Sequence, residues 1–329
     1  MAKIAINGFG RIGRLTFRNI IKNIPELEVV AINDLADNHT LIHLLKHDSS
    51  YGECGFEIIE KENSMIISGK EIKLLSEKDP LKLPWKDLQV DVVLECTGAF
   101  TKYDDAHKHI EAGAKRVILS APSKTPDKVK SFVIGVNDDQ LSNCSDDVID
   151  MGSCTTNCLA PVVKILEQNF GIQKGFMTTV HSYTNDQNIL DLPHKDLRRA
   201  RSAGLSIIPT STGAAKTVGK IFGEQGKLDG ISMRVPTPTV SVVDFVCVLN
   251  KETNKEELNK IFKDNEIKGI FRVSDEPLVS MDYKGDSYSS ILDSELTMVN
   301  GNLIKIVAWY DNEWGYSCRL GEFCQKAGK

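Results

Sequence analysis

Short apolar runs alternate with helical segments through the first half of the chain. This alternation of strand and helix is typical of a mostly parallel sheet with helices on both faces. The predicted strands are Lys3–Asn7, Glu28–Asn33, Val90–Cys96, Arg116–Ser120 and Phe132–Val136. The predicted helices are Arg11–Asn23, Asn38–Lys46, Tyr103–Ala112 and the short Asp138–Leu141.

The pattern changes near Gly152, where we place a domain boundary. A helix is predicted over Asn157–Phe170, because its apolar residues fall on one face. Longer alternating strands follow and indicate an antiparallel sheet with one covered face; they are Phe176–His181, Ser232–Asn250 and Leu303–Tyr310. A closing helix is predicted over Gly315–Ala327. We therefore expect one domain over residues 1–152, completed by the helix over 315–329, and a second over 153–314.

Composition and charge exclude several classes of protein. The 329 residues are 41% hydrophobic, which rules out a disordered chain, and 40 basic against 45 acidic residues give a net charge of −5. That balance argues against specific nucleic-acid binding. The longest apolar stretch, near Val240–Leu249, contains Asp244 and is too short for a membrane span. The eight cysteines include no CxxC pair, and no signal peptide is visible, so we expect free thiols and a cytoplasmic location.

A glycine-rich turn after the first strand predicts a dinucleotide site. Gly8, Gly10 and Gly13 have the GxGxxG spacing and open the first helix, whose N-terminus attracts phosphate. Asp34 ends the next strand, where a carboxylate would hold the adenosine ribose and repel a 2′-phosphate. We therefore predict a Rossmann-type doubly wound sheet that binds NAD rather than NADP. The second domain is expected to be α+β.

Cys154 is the candidate nucleophile. It lies in Gly-Ser-Cys-Thr-Thr-Asn-Cys at the start of a predicted helix, where the helix dipole and free N–H groups favour a thiolate. The alternative is a small buried thiol with a packing role. If the helix begins at Cys154, Pro161 lies beyond its first turn and should kink it.

A thiol nucleophile needs a base, and the histidines are the candidates. His181 ends a predicted strand, where sites assemble in α/β proteins, and is favoured over His194. The other five histidines lie on polar helical stretches and are expected to be solvated; they are His39, His43, His47, His107 and His109.

Segments that combine hydroxyls, glycine and arginine predict anion sites, because a guanidinium fork suits phosphate oxygens. These segments are Tyr183–Asp186, Arg198–Arg201, Pro209–Gly213 and Met233–Thr237. The arginine run has a second interpretation, as a solvated or subunit-facing surface. No metal site is expected.

Six motifs together resemble phosphorylating glyceraldehyde-3-phosphate dehydrogenase, and the similarity runs from residue 2 to about residue 325. They are Asn7–Arg14, Ser153–Cys158, His181–Thr184, Pro209–Lys216, Arg234–Pro238 and Trp309–Trp314. The resemblance implies that Cys154 attacks an aldehyde while His181 accepts the hydroxyl proton and helps to hold the thiolate as an ion pair. Hydride passes to NAD, and inorganic phosphate releases the thioester as 1,3-bisphosphoglycerate.

The same resemblance implies the binding residues. The substrate phosphate would be held by Thr184, Asp186 and Arg234, and the attacking phosphate by Ser153, Thr155, Arg199, Thr212 and Gly213. NAD would contact Arg11, Ile12, Lys78, Thr97, Phe100, Ser120 and Asn312, in addition to Asp34 and the glycines. The segment Thr178–Arg201 resembles a loop that packs beside a neighbouring subunit's cofactor, which implies a homotetramer.

Three positions depart from the family pattern. Lys78 replaces a frequent Arg and loses the guanidinium fork, Gly152 replaces the usual Ala, and Asn188 replaces a frequent Arg. None of the three is among the residues expected to carry the chemistry or hold phosphate.

Three alternatives to the main hypothesis remain. An erythrose-4-phosphate dehydrogenase would share the thiol and the NAD site but would not need a strong second phosphate site. A non-catalytic binding role, such as adhesion or RNA binding, has little support from the charge pattern. Redox sensing at Cys154 would follow from the same reactivity that makes a thiolate nucleophilic.

Overall fold

The computed structural model describes residues 1–223 and 226–328. The chain forms two compact units. The first comprises Met1–Phe132, Asp138–Gly152 and Ser317–Lys329, and the second comprises Val133–Asn137 and Ser153–Tyr316.

In the first unit, the residues that the structure describes form a nine-stranded sheet. Its strands are β1 (Ala2–Asn7), β2 (Leu27–Asn33), β3 (Ile58–Glu60), β4 (Ser64–Ile67), β5 (Lys70–Leu75), β6 (Val92–Glu95), β7 (Arg116–Leu119), β8 (Lys130–Ser131) and β9 (Val148–Asp150). Their order is β3-β4-β5-β2-β1-β6-β7-β9-β8, and seven strands from β5 to β8 pair in parallel. The predicted doubly wound parallel sheet is confirmed.

The helices of this unit are α1 (Arg11–Asn23), α2 (Asn38–Lys46), α3 (Trp85–Leu88), α4 (Tyr103–Ala106) and α5 (Lys108–Glu111). The predicted single helix over Tyr103–Ala112 is wrong, because the chain breaks into two short helices at His107. The predicted strand over Phe132–Val136 is also wrong: the strand there is β8, and Val133–Asn137 join the second unit.

In the second unit, the described residues form an eight-stranded, mainly antiparallel sheet. Its strands are β10 (Ile172–Ser182), β11 (Ile208–Ser211), β12 (Leu228–Val235), β13 (Ser241–Leu249), β14 (Phe271–Ser274), β15 (Ser290–Asp293), β16 (Met298–Asn300) and β17 (Leu303–Tyr310). Their order is β11-β12-β10-β13-β17-β15-β14, with β16 on β17. The predicted stretch Ser232–Asn250 is two strands, because the Pro-containing segment between Val235 and Ser241 interrupts it.

Helices cover one face of this second sheet. They are α6 (Cys154–Asn169), α7 (Ala214–Ile221) and α8 (Lys255–Asp264), and a last helix, α9 (Trp314–Ala327), runs from this unit into the first. Buried side chains of α6 pack with alternate residues of β13, including Val243, Phe245 and Cys247. The residues between them, such as Val242 and Val246, are half-buried on the opposite face. The strand thus has the two-sided pattern expected of a sheet covered on one face.

The described part of the chain contains no helix that could span a membrane. None of its helices combines the length and the apolar character that crossing a bilayer needs.

Candidate active site

The glycine-rich turn between β1 and α1 is shaped by close backbone packing. Gly8 has φ +92°, and a Cβ there would lie 2.6 Å from the backbone nitrogen of Thr97. A Cβ on Gly13 would lie 2.2 Å from the carbonyl oxygen of Gly8. A Cβ on Gly10, in contrast, would meet no atom of the described residues within 4 Å. The turn is therefore closed on its protein side and open at Gly10, in front of the helix N-terminus.

A cavity of about 390 Å³ adjoins this turn. Predicted cofactor residues line it, namely Gly8, Gly10, Asp34, Lys78, Thr97 and Phe100, together with Asn7, Asn33, Leu35, Glu77, Cys96 and Ala99. The strands β1, β2 and β6 all end here, as expected for a ligand site at the carboxyl edge of a parallel sheet. Asp34 accepts hydrogen bonds from the backbone N–H groups of Phe9, at 2.7 Å, and Ala36, at 3.0 Å, which fix its carboxylate at the cavity wall.

The remaining predicted cofactor residues occupy different places. Arg11 and Ile12 form the first turn of α1, where the guanidinium of Arg11 pairs with Asp48. Ser120 follows β7, and its N–H donates to the carbonyl of Glu95. Asn312 belongs to the second unit, where its Oδ1 accepts from the hydroxyls of Ser182 and Ser241 at 2.9 and 3.0 Å.

A buried polar network supports the cavity floor, and sequence reasoning missed it. His109 was expected to be solvated, but it is fully buried: its Nδ1 accepts from Trp85 Nε1 at 2.9 Å. Its Nε2 then carries the proton and faces Glu95 Oε2 at 3.3 Å. Glu95 also accepts from Asn7 Nδ2 at 2.6 Å and from the N–H of Thr97 at 2.8 Å. The network holds Asn7 and Thr97, two residues of the cavity wall.

In the second unit, Cys154 is the first residue of α6. Ser153 is the N-cap, and its hydroxyl accepts from the N–H of Thr156 at 3.0 Å. The helix begins at Cys154 and continues through Pro161, so the proline lies inside the helix and does not end it. Gly152, with φ +64°, precedes the cap in a conformation that glycine tolerates better than the alanine usual at this position.

Cys154 and His181 face each other. The Cys154 Sγ lies 3.5 Å from His181 Nε2, and His181 is the penultimate residue of β10. Burial lowers the pKa of His181 to about 3, and the charge of Arg234 adds to that shift. Burial also raises the pKa of the Cys154 thiol, although Arg234 opposes the effect. Both pKa shifts favour the uncharged form of the group, whereas the stabilised thiolate of the sequence analysis stays a prediction.

Three of the predicted anion residues contact or approach Asp186. Its carboxylate pairs with Arg199 Nη1 at 2.5 Å and accepts from the Thr184 hydroxyl, and Arg234 Nη2 lies 4.0 Å away. Asp186 thus lies between the arginines of the two predicted phosphate sites. Arg234 Nη1 also lies 2.7 Å from His181 Nδ1.

The second predicted phosphate site contains hydroxyls with local partners. Thr212 accepts from the N–H of Ala214 at 3.2 Å, and Gly213 caps α7. The Thr155 hydroxyl is buried and lies 2.8 Å from the hydroxyl of Tyr310. The roles of these residues in phosphate binding stay predictions.

Tyr310 is a second residue that the sequence analysis passed over. Its hydroxyl contacts both Thr155 and Thr179, and its ring packs edge-on against His181 with centroids 6.0 Å apart. Its position at the end of an apolar strand, inside a quoted motif, was the available signal. The tyrosine is 1% exposed, so a buried ring packs against the imidazole.

Comparisons with known proteins find similar sequences over nearly the whole chain. Residues 2–103 match the family model "Glyceraldehyde 3-phosphate dehydrogenase, NAD binding domain", and residues 153–312 match its C-terminal domain. The chain is 56% identical to a glyceraldehyde-3-phosphate dehydrogenase of Geobacillus stearothermophilus, over 97% of this chain and 96% of the relative. It is 54% identical to one from Bacillus cereus and 52% identical to one from Streptomyces coelicolor, with the same coverage of each chain.

Proposed function

The chain belongs to the glyceraldehyde-3-phosphate dehydrogenase family, and from that premise we propose how its own residues carry out the family's reaction. The enzyme oxidises D-glyceraldehyde 3-phosphate with NAD and inorganic phosphate to 1,3-bisphosphoglycerate, a step of glycolysis. The observation that carries the assignment of residues is the pairing of Cys154 Sγ with His181 Nε2 at the start of a helix.

Cys154 forms the covalent intermediate in this proposal. Its sulfur attacks the aldehyde carbon, and the thiol proton passes through His181 to the substrate oxygen, which gives a hemithioacetal. His181 is suited to this transfer because burial favours the neutral imidazole, whose Nε2 can accept the thiol proton when Nδ1 carries the ring proton. The N–H at the start of α6 and the imidazole would stabilise negative charge on the oxygen.

Oxidation then produces a thioester. Bound NAD supplies the hydride acceptor. His181 takes the hydroxyl proton as the C–H electron pair leaves, and the carbon stays bonded to the sulfur of Cys154. Inorganic phosphate next attacks the thioester carbon, the C–S bond breaks, and the acyl phosphate leaves the regenerated cysteine.

The first unit fits NAD. The turn is open at Gly10 and closed at Gly8 and Gly13, so a pyrophosphate has room beside the N-terminus of α1. The Asp34 carboxylate at the cavity wall favours a free ribose hydroxyl over a 2′-phosphate. Asn312, whose Oδ1 is occupied by two hydroxyls, would present its amide nitrogen to the nicotinamide carboxamide.

Arginines on either side of Asp186 account for the two phosphates. We assign Arg234 and Thr184 to the substrate phosphate, and Arg199, Thr212 and Gly213 with Ser153 and Thr155 to the attacking phosphate. Asp186 orients both guanidinium groups, since it contacts Arg199 and lies near Arg234. Two distinct sites are needed because the product carries both phosphoryl groups.

A homotetramer is the proposed assembly. Large apolar side chains are exposed in the segment that resembles the family's subunit-contact loop, including Ile189, Leu190 and Leu197 at 71%, 66% and 82% exposure. Phe176, 75% exposed, projects from the uncovered face of the second sheet. Surfaces of this kind mark protein interfaces.

Two further assignments complete the proposal. The first unit is the dinucleotide-binding domain, and the second is the catalytic domain. We assign the enzyme to the cytoplasm, because all eight cysteines are free thiols, as is usual in a reducing compartment.

Turnover with and without inorganic phosphate tests the proposed function. NADH absorbance should rise continuously with glyceraldehyde 3-phosphate, NAD and phosphate, and Cys154→Ser should abolish the rise. Cys158→Ser is the matched control, since Cys158 lies one turn further into α6 and is buried. Equal turnover without phosphate would mean that water hydrolyses the thioester and would favour the erythrose-4-phosphate alternative. Unchanged activity in Cys154→Ser would overturn the assignment of the nucleophile.

A further inference from the structure

Five buried side chains of the first unit are joined by hydrogen bonds next to the cavity. Trp85 Nε1 donates to His109 Nδ1 at 2.9 Å, and His109 Nε2 faces Glu95 Oε2 at 3.3 Å. Asn7 Nδ2 donates to the same carboxylate oxygen at 2.6 Å, and Asn7 Oδ1 accepts from Asn33 Nδ2 at 2.7 Å. All five residues are at most 4% exposed. We call them the floor network.

Trp85 fixes the direction of the hydrogen bonds in the floor network. An indole N–H can only donate, so His109 Nδ1 accepts and the imidazole proton is on Nε2. That N–H points at Glu95, whose Oε2 accepts from both His109 and Asn7. The other oxygen of Glu95, Oε1, accepts from the N–H of Thr97 at 2.8 Å and from its hydroxyl. Both oxygens are thus used as acceptors, which suits an ionised carboxylate.

The floor network connects four segments of the cavity wall. Asn7 ends β1 and precedes the glycine-rich turn, Thr97 follows β6, and Asn33 ends β2. Asn33 also fastens the segment after β5, because its Oδ1 accepts from the N–H of Glu77 at 2.8 Å and its Nδ2 donates to the Glu77 carbonyl at 2.9 Å. All four of these residues line the cavity. The buried carboxylate of Glu95 therefore connects wall segments that follow four different strands.

We propose that Glu95 and His109 are positioning residues for the cofactor, which hold the wall of the NAD site in its binding shape before NAD enters. This inference rests on the proposed function and deepens it, since Asp34, the proposed ribose ligand, lies in the same cavity. A site that is formed in advance does not have to order its wall when the ligand binds, so its affinity is higher. The floor network therefore sets the affinity for NAD, although Glu95 and His109 act through Asn7 and Thr97.

Single substitutions at the two ends of one hydrogen bond test the proposal. Glu95→Gln keeps the shape of the side chain, but its amide nitrogen must face hydrogen-bond donors on either side, because both oxygens of Glu95 are acceptors. Asn7→Asp places a second carboxylate against Glu95, and the two repel each other at alkaline pH. Each variant should weaken NAD binding about tenfold, measured by isothermal titration calorimetry. ADP-ribose, which lacks the nicotinamide, should lose affinity by the same factor.

The double variant Asn7→Asp/Glu95→Gln should restore NAD binding to within about threefold of wild type. Its glutamine amide donates to the aspartate, and its glutamine oxygen still accepts from Thr97. His109 Nε2 lies 3.4 Å from the Asn7 nitrogen that becomes an oxygen, so it can donate to the aspartate instead. The second aspartate oxygen keeps the hydrogen bond from Asn33. The network is thereby rebuilt with its carboxylate moved to the neighbouring strand.

The kinetic constants distinguish a positioning role from a general loss of stability. In both single variants the KM for NAD should rise about tenfold, whereas kcat at saturating NAD should change less than about twofold, because Cys154 and His181 belong to the other unit. Val93→Ala is the matched control, since it truncates another buried residue of β6. It should lower the melting temperature, because it leaves a cavity, while its affinity for NAD stays at the wild-type value.

Three results would overturn the positioning role. They are single variants that bind NAD as tightly as wild type, a double variant that does not fold or stays as weak as the single variants, and an equal loss of affinity in Val93→Ala. If Glu95→Gln alone fails to fold, the comparison of Asn7→Asp with the double variant decides the question. Phosphate-dependent turnover of glyceraldehyde 3-phosphate by the wild type shows separately whether the proposed function holds.

Discussion

In the proposed function, single side chains at the ends of strands and at the start of α6 carry the chemistry. The sequence placed Asp34 and His181 correctly at strand ends, because both follow apolar runs of clear length. It could not show that Arg234 approaches His181, since that contact depends on the parallel register of β10 with β12, which pairs the two residues directly. Pairing between strands distant in sequence is a property of topology rather than of local pattern.

In the proposed function, the Asp34 carboxylate determines the choice between NAD and NADP. Asp34→Ala should weaken NAD binding about tenfold or more, because it removes the acceptor for the ribose hydroxyls. It should also reduce the ratio of the affinity for NAD to the affinity for NADP. Titration of both dinucleotides by intrinsic fluorescence measures this. Asp37→Asn, at the exposed N-cap of α2, is the matched control and should bind NAD as wild type does. Unchanged preference in Asp34→Ala would contradict the role given to Asp34.

The buried imidazole of His181 predicts a pH dependence of stability. Its pKa is about 3 in the folded chain, below the usual 6.5, so the unfolded chain binds a proton that the folded chain refuses between those values. This contribution to stability is present above pH 6.5 and is lost as pH falls, by about 1.4 kcal/mol per unit at most. Urea unfolding at pH 7, 6 and 5 should show a shallower loss in His181→Asn than in wild type. If the free energy of unfolding falls equally with pH in both proteins, the predicted contribution of His181 is contradicted.

At the scale of elements, the glycine-rich turn and the N-terminus of α1 together form the proposed pyrophosphate site. Gly13→Ala should destabilise the first unit and reduce NAD binding together, because its Cβ would lie 2.2 Å from the Gly8 carbonyl. Gly10→Ala is the matched comparison: no atom of the described chain lies within 4 Å of its Cβ, so thermal stability should change little. NAD binding should nevertheless fall, because the new methyl group occupies space meant for the pyrophosphate. Thermal denaturation with and without NAD separates the effect on stability from the effect on NAD binding. Equal losses of stability in Gly13→Ala and Gly10→Ala would contradict this prediction.

Elements with strong local signals were predicted well. Helices α1 and α2 have the bounds predicted from periodicity, and β17 likewise. The antiparallel strands β3 and β4 beside β5 were not predicted, because they are short and partly polar. The depth of His109 was missed for a different reason. A histidine in a polar stretch gives no local sign that Trp85 and Glu95, from other elements, will enclose it.

At the scale of the whole molecule, the exposed apolar face of the second sheet carries the proposed assembly. Light scattering should give a mass of four chains for wild type. Phe176→Asp should shift it toward smaller species, because burying a phenylalanine stabilises an interface by about 1.5–3 kcal/mol and a carboxylate reverses that gain. Leu81→Asp, an exposed apolar residue of the first unit, should leave the mass unchanged. A monomeric wild type would contradict the proposed tetramer.

The account as a whole depends on a thioester at Cys154. The most direct measurement mixes NAD-loaded enzyme with glyceraldehyde 3-phosphate in the absence of inorganic phosphate, quenches with acid, and maps the acyl group by peptide mass spectrometry. We expect one phosphoglyceroyl group on Cys154 per active chain, and its loss on addition of inorganic phosphate before the quench. An acyl group on Cys158, or NADH formed without any acyl-enzyme, would contradict the account.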